Sequence, residues 1–129
     1  MIEKKSFVKK NWGWENWFDN NELYCGKLIC VEHGKWSSEG NYHYHKKKTE
    51  TFFVIEGALR IDYVNRKGTF KSIWLDLNES FRIGRYIKHR FTAVSDTECK
   101  FIEVSTTHDD NDSYRVKWDE ESENWIPVK

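Results

Sequence analysis

His43, His45 and Glu50 lie close enough along the chain to close around one divalent ion. His43 and His45 are two apart, so on a strand they project from the same face. Glu50 returns to that face if Lys46 to Thr49 form a turn and Thr51 to Ile55 start the next strand. Imidazole and carboxylate donors together suit a first-row transition metal better than calcium or magnesium. His89, in a later strand-like segment, is the fourth candidate ligand. Three imidazoles and one carboxylate leave up to two positions open on an octahedral ion, where substrate oxygens would bind. The expected cofactor is a divalent transition metal: manganese, zinc, iron, cobalt or nickel.

Around this set stand groups that could move protons or hold an anion. Glu103 lies among apolar neighbours, where desolvation would raise its pKa toward that of a useful base. The opposing reading is a barrel-end carboxylate paired with a lysine. His108 is the second catalytic candidate, although the Asp109-Asp110 that follows is also what a surface loop contains. Lys47 and Arg115 are the candidate substrate-binding residues. Lys46 to Lys48 read either as a solvated turn or as a cationic patch for a phosphate or carboxylate. Arg82, Arg85, Lys88 and Arg90 flank His89, and alternation sends Arg90 to the face opposite it. Trp12, Trp14, Trp17 and Trp36 are expected to pack a terminal segment or a dimer interface, with stacking on a sugar as the alternative. His33, beside Gly34, reads as a turn residue.

Short β-rich runs must position these groups. Tyr24–Glu32, Thr51–Ile55, Leu59–Val64, Phe70–Leu77, Phe81–Ile83, His89–Val94 and Lys100–Ser105 recur at the spacing of an all-β sandwich or barrel. One short helix is expected near Trp14–Phe18. The chain has one proline, so Gly, Asn and Asp must make the turns. At 129 residues it is read as one domain, with a barrel core over about 22–106. The Trp-rich start and the acidic tail from Asp109 would pack on that core. The 21 basic and 21 acidic residues cancel, so no charge excess points to nucleic acid. Cys25, Cys30 and Cys99 are an odd set without a CxxC pair and read as reduced, core-packed thiols. Met1–Lys10 lacks the apolar run of a signal peptide, and no stretch approaches the ~18 apolar residues of a membrane span. A soluble cytoplasmic protein is expected.

The spacing resembles the cupin superfamily, whose first motif runs Gly, His-x-His, Glu, Gly. It reads here as Gly40, His43, His45, Glu50 and Gly57. Gly84, His89 and the strand Arg90–Val94 resemble the second motif, without its usual proline. The resemblance covers about Tyr24–Ser105 and implies an all-β cupin double-stranded β-helix (a jelly-roll barrel). Trp12-Gly13 and the run Phe101-Ile102-Glu103-Val104, with Asp112 and Arg115 beyond, resemble the phosphomannose isomerase-like cupins. That likeness implies a homodimeric, metal-dependent isomerase or epimerase of a sugar or sugar phosphate, with Glu103 as base. Glu50 is the competing choice of base if its metal ligation is labile. An Fe(II)-dependent dioxygenase and a non-catalytic sugar-binding module remain the alternatives.

Overall fold

The β-branched and aromatic runs, broken by Gly, Asn and Asp, form twelve strands among the residues described by the computed structural model, 1–2 and 6–129. In chain order these are β1 (Ser6–Lys10), β2 (Gly13–Asn20), β3 (Cys25–Val31), β4 (Tyr42–Tyr44), β5 (Glu50–Glu56) and β6 (Leu59–Val64). They continue as β7 (Phe70–Leu75), β8 (Ser80–Ile83), β9 (His89–Ala93), β10 (Cys99–Ser105), β11 (Tyr114–Asp119) and β12 (Asn124–Pro127). One six-stranded sheet has the order β1-β2-β3-β10-β5-β8, and the other has β12-β11-β4-β9-β6-β7. All the pairings within the strands are antiparallel. This is the expected all-β jelly roll.

The inward rows of the strands change character along their length. β5 reads Glu50, Phe52, Val54 on its inner face, β9 reads His89, Phe91, Ala93, and β3 reads Lys27, Ile29, Val31. On β10 the order is reversed, Cys99, Phe101, Glu103, because it runs antiparallel to both β3 and β5. The polar residues therefore collect at one end and the apolar ones fill the other. That apolar part includes Ile29, Val31, Phe52, Leu59, Phe91 and Phe101. Phe52, Phe91 and Phe101 interlock with centroids 4.7–5.7 Å apart, tilted or edge to face. The three cysteines are free and buried, as expected.

One expectation changes. Trp14–Phe18 is not a helix but the middle of β2, paired with β3. A bulge between Trp17 and Asp19 throws the Phe18 ring over Gly26, where an added Cβ would come within 2.4 Å of it. Trp14 and Trp17 fall on opposite faces of the strand, Trp17 toward the cavity and Trp14 against Phe7. The flanking segments take the form of added strands. β1 and β2 extend one sheet, and β11 and β12 extend the other beside β4.

The Trp12-Gly13 pair joins this extension to the core. Trp12 is buried edge-on against Phe91, with centroids 5.3 Å apart. Gly13 sits between Lys10 of β1 and Val31 of β3, and a Cβ there would meet the Cys30 carbonyl oxygen at 1.9 Å. The side-chain-free residue lets the strands close. Gly13→Ala is therefore expected to destabilise the fold by ~2 kcal/mol or more. An unchanged urea midpoint for that variant would refute this account of the close approach.

Candidate metal centre

β4 carries His43 inward, in register with His89 on β9. The imidazole centroids of His43 and His89 are 4.1 Å apart. The Lys46–Thr49 turn brings Glu50 back to the same side, and one donor atom each from His43, His45, Glu50 and His89 lie within 4.8 Å of one another. All but His43 are fully buried by residue, and His43 is half-buried. Asp112 holds the turn in place. Its carboxylate accepts from the backbone N–H of Lys46 and Lys47 at 2.8 and 3.0 Å, and its carbonyl accepts from His45 Nδ1 at 2.7 Å.

The hydrogen bonds fix which ring nitrogens are bare. A carbonyl oxygen only accepts, so His45 Nδ1 carries its proton toward Asp112, and His89 Nδ1 donates to Ile87 O at 2.9 Å. In the neutral rings both Nε2 atoms are then lone pairs. His45 Nε2 lies 3.8 Å from Glu50 Oε2, and His89 Nε2 lies 2.8 Å from Glu50 Oε1. Glu50 Oε1, His89 Nε2 and His43 Nδ1 are buried without hydrogen-bond partners. Two acceptors facing each other this closely call for a cation. Ligands at about 2.1 Å from one ion and at right angles stand about 3 Å apart, which matches the Glu50–His89 contact. The four donors fit a divalent transition metal.

The electrostatics suit the same role. Burial, with His89 and His45 adding to it, holds the His43 pKa well below the ordinary value. Burial likewise lowers His45. Both rings are therefore neutral ligands at neutral pH. Burial works against the charge on Glu50, but Lys48 and the nearby imidazoles outweigh it and hold the carboxyl well below the usual range.

A second charged layer lies against this one. Lys48 Nζ stands 3.2 Å from Glu50 Oε2, 2.7 Å from Glu103 Oε2 and 3.0 Å from His108 Nδ1. Its three N–H donors thus meet three acceptors. Burial opposes its charge, yet Glu103 and Glu50 raise its pKa above the ordinary lysine value. Lys27 adds a second ammonium, 4.0 Å from Glu103, 3.7 Å from Glu15 and 4.2 Å from the centre of the Trp17 ring. The apolar surroundings expected for Glu103 are replaced by these two lysines, and its side chain points into the barrel. His108 accepts from the lysines at Nδ1 and donates from Nε2 to Asp110 at 2.8 Å. Burial, Lys27 and Lys48 lower its pKa, so it is neutral.

These groups line one cavity of about 400 Å³. Arg115 lies at its mouth, opposite His43 in the β4–β11 register, and has no ion-pair partner among the described residues. Lys47 is exposed on the turn and does not line the cavity. Its neighbour Lys48 does, so the lysine run is neither all solvated nor all an external patch. Arg90 takes the face opposite His89, against Asp62, Trp36 and Tyr42. His33 bonds to the Ser95 carbonyl away from the cavity. Of the tryptophans, Trp12 and Trp17 border the cavity, while Trp36 packs under Arg60 and Arg90. Sequence reasoning missed Lys27 as a site residue; it had Lys48 only within the lysine run, and Trp17 as a packing residue with sugar stacking as the alternative. Lys27 had a visible signal, since it occupies the same alternate face as Ile29 and Val31.

Solved structures share the architecture. Oxalate decarboxylase from Bacillus subtilis aligns with a TM-score of 0.77 at 15% identity, over 88% of this chain and 30% of that one. The capsular polysaccharide assembling protein CapF from Staphylococcus aureus aligns with a TM-score of 0.75 at 18% identity, over 87% and 31%. KdgF from a Halomonas species aligns with a TM-score of 0.68 at 12% identity, over 82% and 91%. The chain thus spans about a third of the length of the first two proteins and most of the third. At these identities the likeness is one of fold. No curated protein sequence matches the chain. The cupin domain family (Cupin_2) matches residues 27–105, the stretch that carries all four metal-site residues and Glu103, and the chain belongs to that family.

Proposed function

We propose that this cupin is a metal-dependent isomerase or epimerase that moves a proton on a small hydroxy-carbonyl substrate bearing an anionic group, such as a sugar phosphate. The observation that carries the reading is Glu103, an inward carboxylate held by Lys48 one ammonium away from the metal-site carboxylate Glu50. A bound divalent ion would supply Lewis-acid polarisation of the substrate's carbonyl and neighbouring hydroxyl oxygens.

The chain's own residues supply the rest. Arg115 at the cavity mouth takes the phosphate or carboxylate through its planar fork of donors. Glu103 removes the proton from the carbon beside the carbonyl and returns it, on the same face, to the former carbonyl carbon; epimerisation would need a second proton donor on the opposite face. Lys48 acts as a fixed charge and hydrogen-bond donor rather than as a base, because its pKa is raised. It aims the Glu103 carboxylate and keeps His108 Nδ1 turned toward the same centre. His108, its Nδ1 taken by the lysines and its Nε2 by Asp110, holds the Lys48 ammonium in place at the cavity wall. Trp17, edge-on to His108 with centroids 4.7 Å apart, forms an apolar wall beside them.

Metal content separates this reading from a metal-free binding module. The purified protein is expected to hold near-stoichiometric transition metal, and His45→Ala and His89→Ala are expected to lose it while keeping the β-sheet circular dichroism. Absence of metal after reconstitution with manganese, zinc, iron, cobalt and nickel in turn would sink the catalytic reading.

For the chemistry, Glu103→Gln is expected to lower kcat by about 10²–10⁴-fold with metal content intact. Arg115→Ala should act mainly on KM, by roughly 10–100-fold for an anionic substrate. Incorporation of solvent deuterium at the substrate carbon, lost in Glu103→Gln, is the direct readout. Bound iron with substrate-dependent oxygen uptake, and no deuterium incorporation, would replace the isomerase by a dioxygenase.

A further inference from the structure

A second cleft of about 470 Å³ lies away from the metal centre, on the outer side of the β12-β11-β4-β9-β6-β7 sheet. That size falls within the roughly 300–1,000 Å³ of small-molecule sites. Its walls are the rings of Phe70, Trp118 and Trp125, with Tyr86 also lining it and Arg66 and Lys88 supplying charge. No acidic residue lines it. Among the described residues neither Arg66 nor Lys88 forms an ion pair. Lys88 Nζ instead lies over Trp125 and Tyr44, 5.3 and 5.4 Å from the ring centres.

The cleft is built rather than loose. The Asn65–Thr69 turn that carries Arg66 is closed by Asn65, whose Oδ1 accepts from the N–H of Lys67 and Thr69 at 3.0 and 2.9 Å. The Lys88 carbonyl accepts from Val64 N–H at 2.9 Å, which ties the two sides together. Tyr86 is held in the left-handed region, with φ 68°, and its N–H donates to His45 O at 2.7 Å. Strain of this kind persists only where the surroundings hold it.

The rings choose the ligand's shape. Phe70 and Trp125 are nearly parallel, 19° apart, but already in contact at 5.7 Å between centroids, and Trp118 is turned 64° from Trp125. They form a stepped wall, not two plates with a gap for a planar base. A one-sided aromatic wall suits the C–H face of a pyranose ring. The two unpaired cations call for carboxylates or other anionic groups on that ring.

We propose that this cleft is a second binding site, separate from the metal centre, for an acidic saccharide. The sugar ring packs on Phe70 and Trp125 while Arg66 and Lys88 take its carboxylates. The site stands on its own residues and does not depend on the reaction proposed above.

Isothermal titration with digalacturonate as the probe and cellobiose as the neutral control tests it. Digalacturonate is expected to bind the parent protein and His45→Ala with equal affinity, which separates this cleft from the metal site. Its affinity should fall by about tenfold or more in Arg66→Ala/Lys88→Gln, and cellobiose should bind the parent about tenfold more weakly. A Phe70→Ala variant, changed at a half-exposed ring, should weaken both sugars. Equal affinity in the double variant, equal affinity for cellobiose, loss of binding in His45→Ala, or no binding up to about 10 mM would each overturn the proposal.

Discussion

The ammonium of Lys48 is the contact on which the polar end of the barrel depends. Taking an ion out of water costs several kcal/mol even after relaxation, and this end buries Glu50, Glu103, Lys27 and Lys48 together. Such a cluster persists only if each charge meets its opposite at hydrogen-bonding range. Lys48 does so for two carboxylates, Glu50 of β5 and Glu103 of β10, and also donates to the neutral His108 imidazole in a loop. Remove it and the Glu50 and Glu103 carboxylates lose the ammonium that stands between them. The ligand geometry and the placement of Glu103 are therefore one arrangement, held by a residue that neither binds metal nor takes protons.

The charge count at this end also bears on what can enter. Glu15, Glu50 and Glu103 face Lys27 and Lys48, an excess of one negative charge. A divalent cation among His43, His45, Glu50 and His89 reverses that excess to one positive charge. Arg115 at the mouth adds to it. A bound divalent cation would therefore strengthen the pull of the cavity on anions. The anionic group in the proposed substrate follows from this reversal as much as from Arg115 alone.

How much of this could be read from the chain varies with the distance over which partners meet. His43 and His45 share a face because a strand has period two, and Glu50 returns after one turn, so those three ligands are local facts. Glu103 and His89 followed from alternation within apolar runs. Lys48 could not be read in this way, because its partners Glu103 and His108 are 55 and 60 residues further on and its own neighbours are exposed lysines. The helix expected over Trp14–Phe18 failed for a related reason. What makes the segment a strand is its pairing with β3, whose partner residues lie further along the chain. The acids of the tail mask the inward and outward pattern of β11, whose Arg115 lines the cavity.

The apolar end of the barrel completes the argument about specificity. Phe52 follows Glu50 on β5, and Phe91 follows His89 on β9, so each ligand stands directly above an interlocked aromatic floor. Phe52 also lies 6.3 Å from the His89 ring, which limits how far that imidazole can swing. A floor packed this closely yields little, since interiors are as dense as organic crystals. Substrate must enter from the mouth and fit above the floor, within a cavity of about 400 Å³. That volume is of the size of the single small anionic substrate proposed above, with Arg115, Glu103 and the metal-site residues His43, His45 and Glu50 all on its walls.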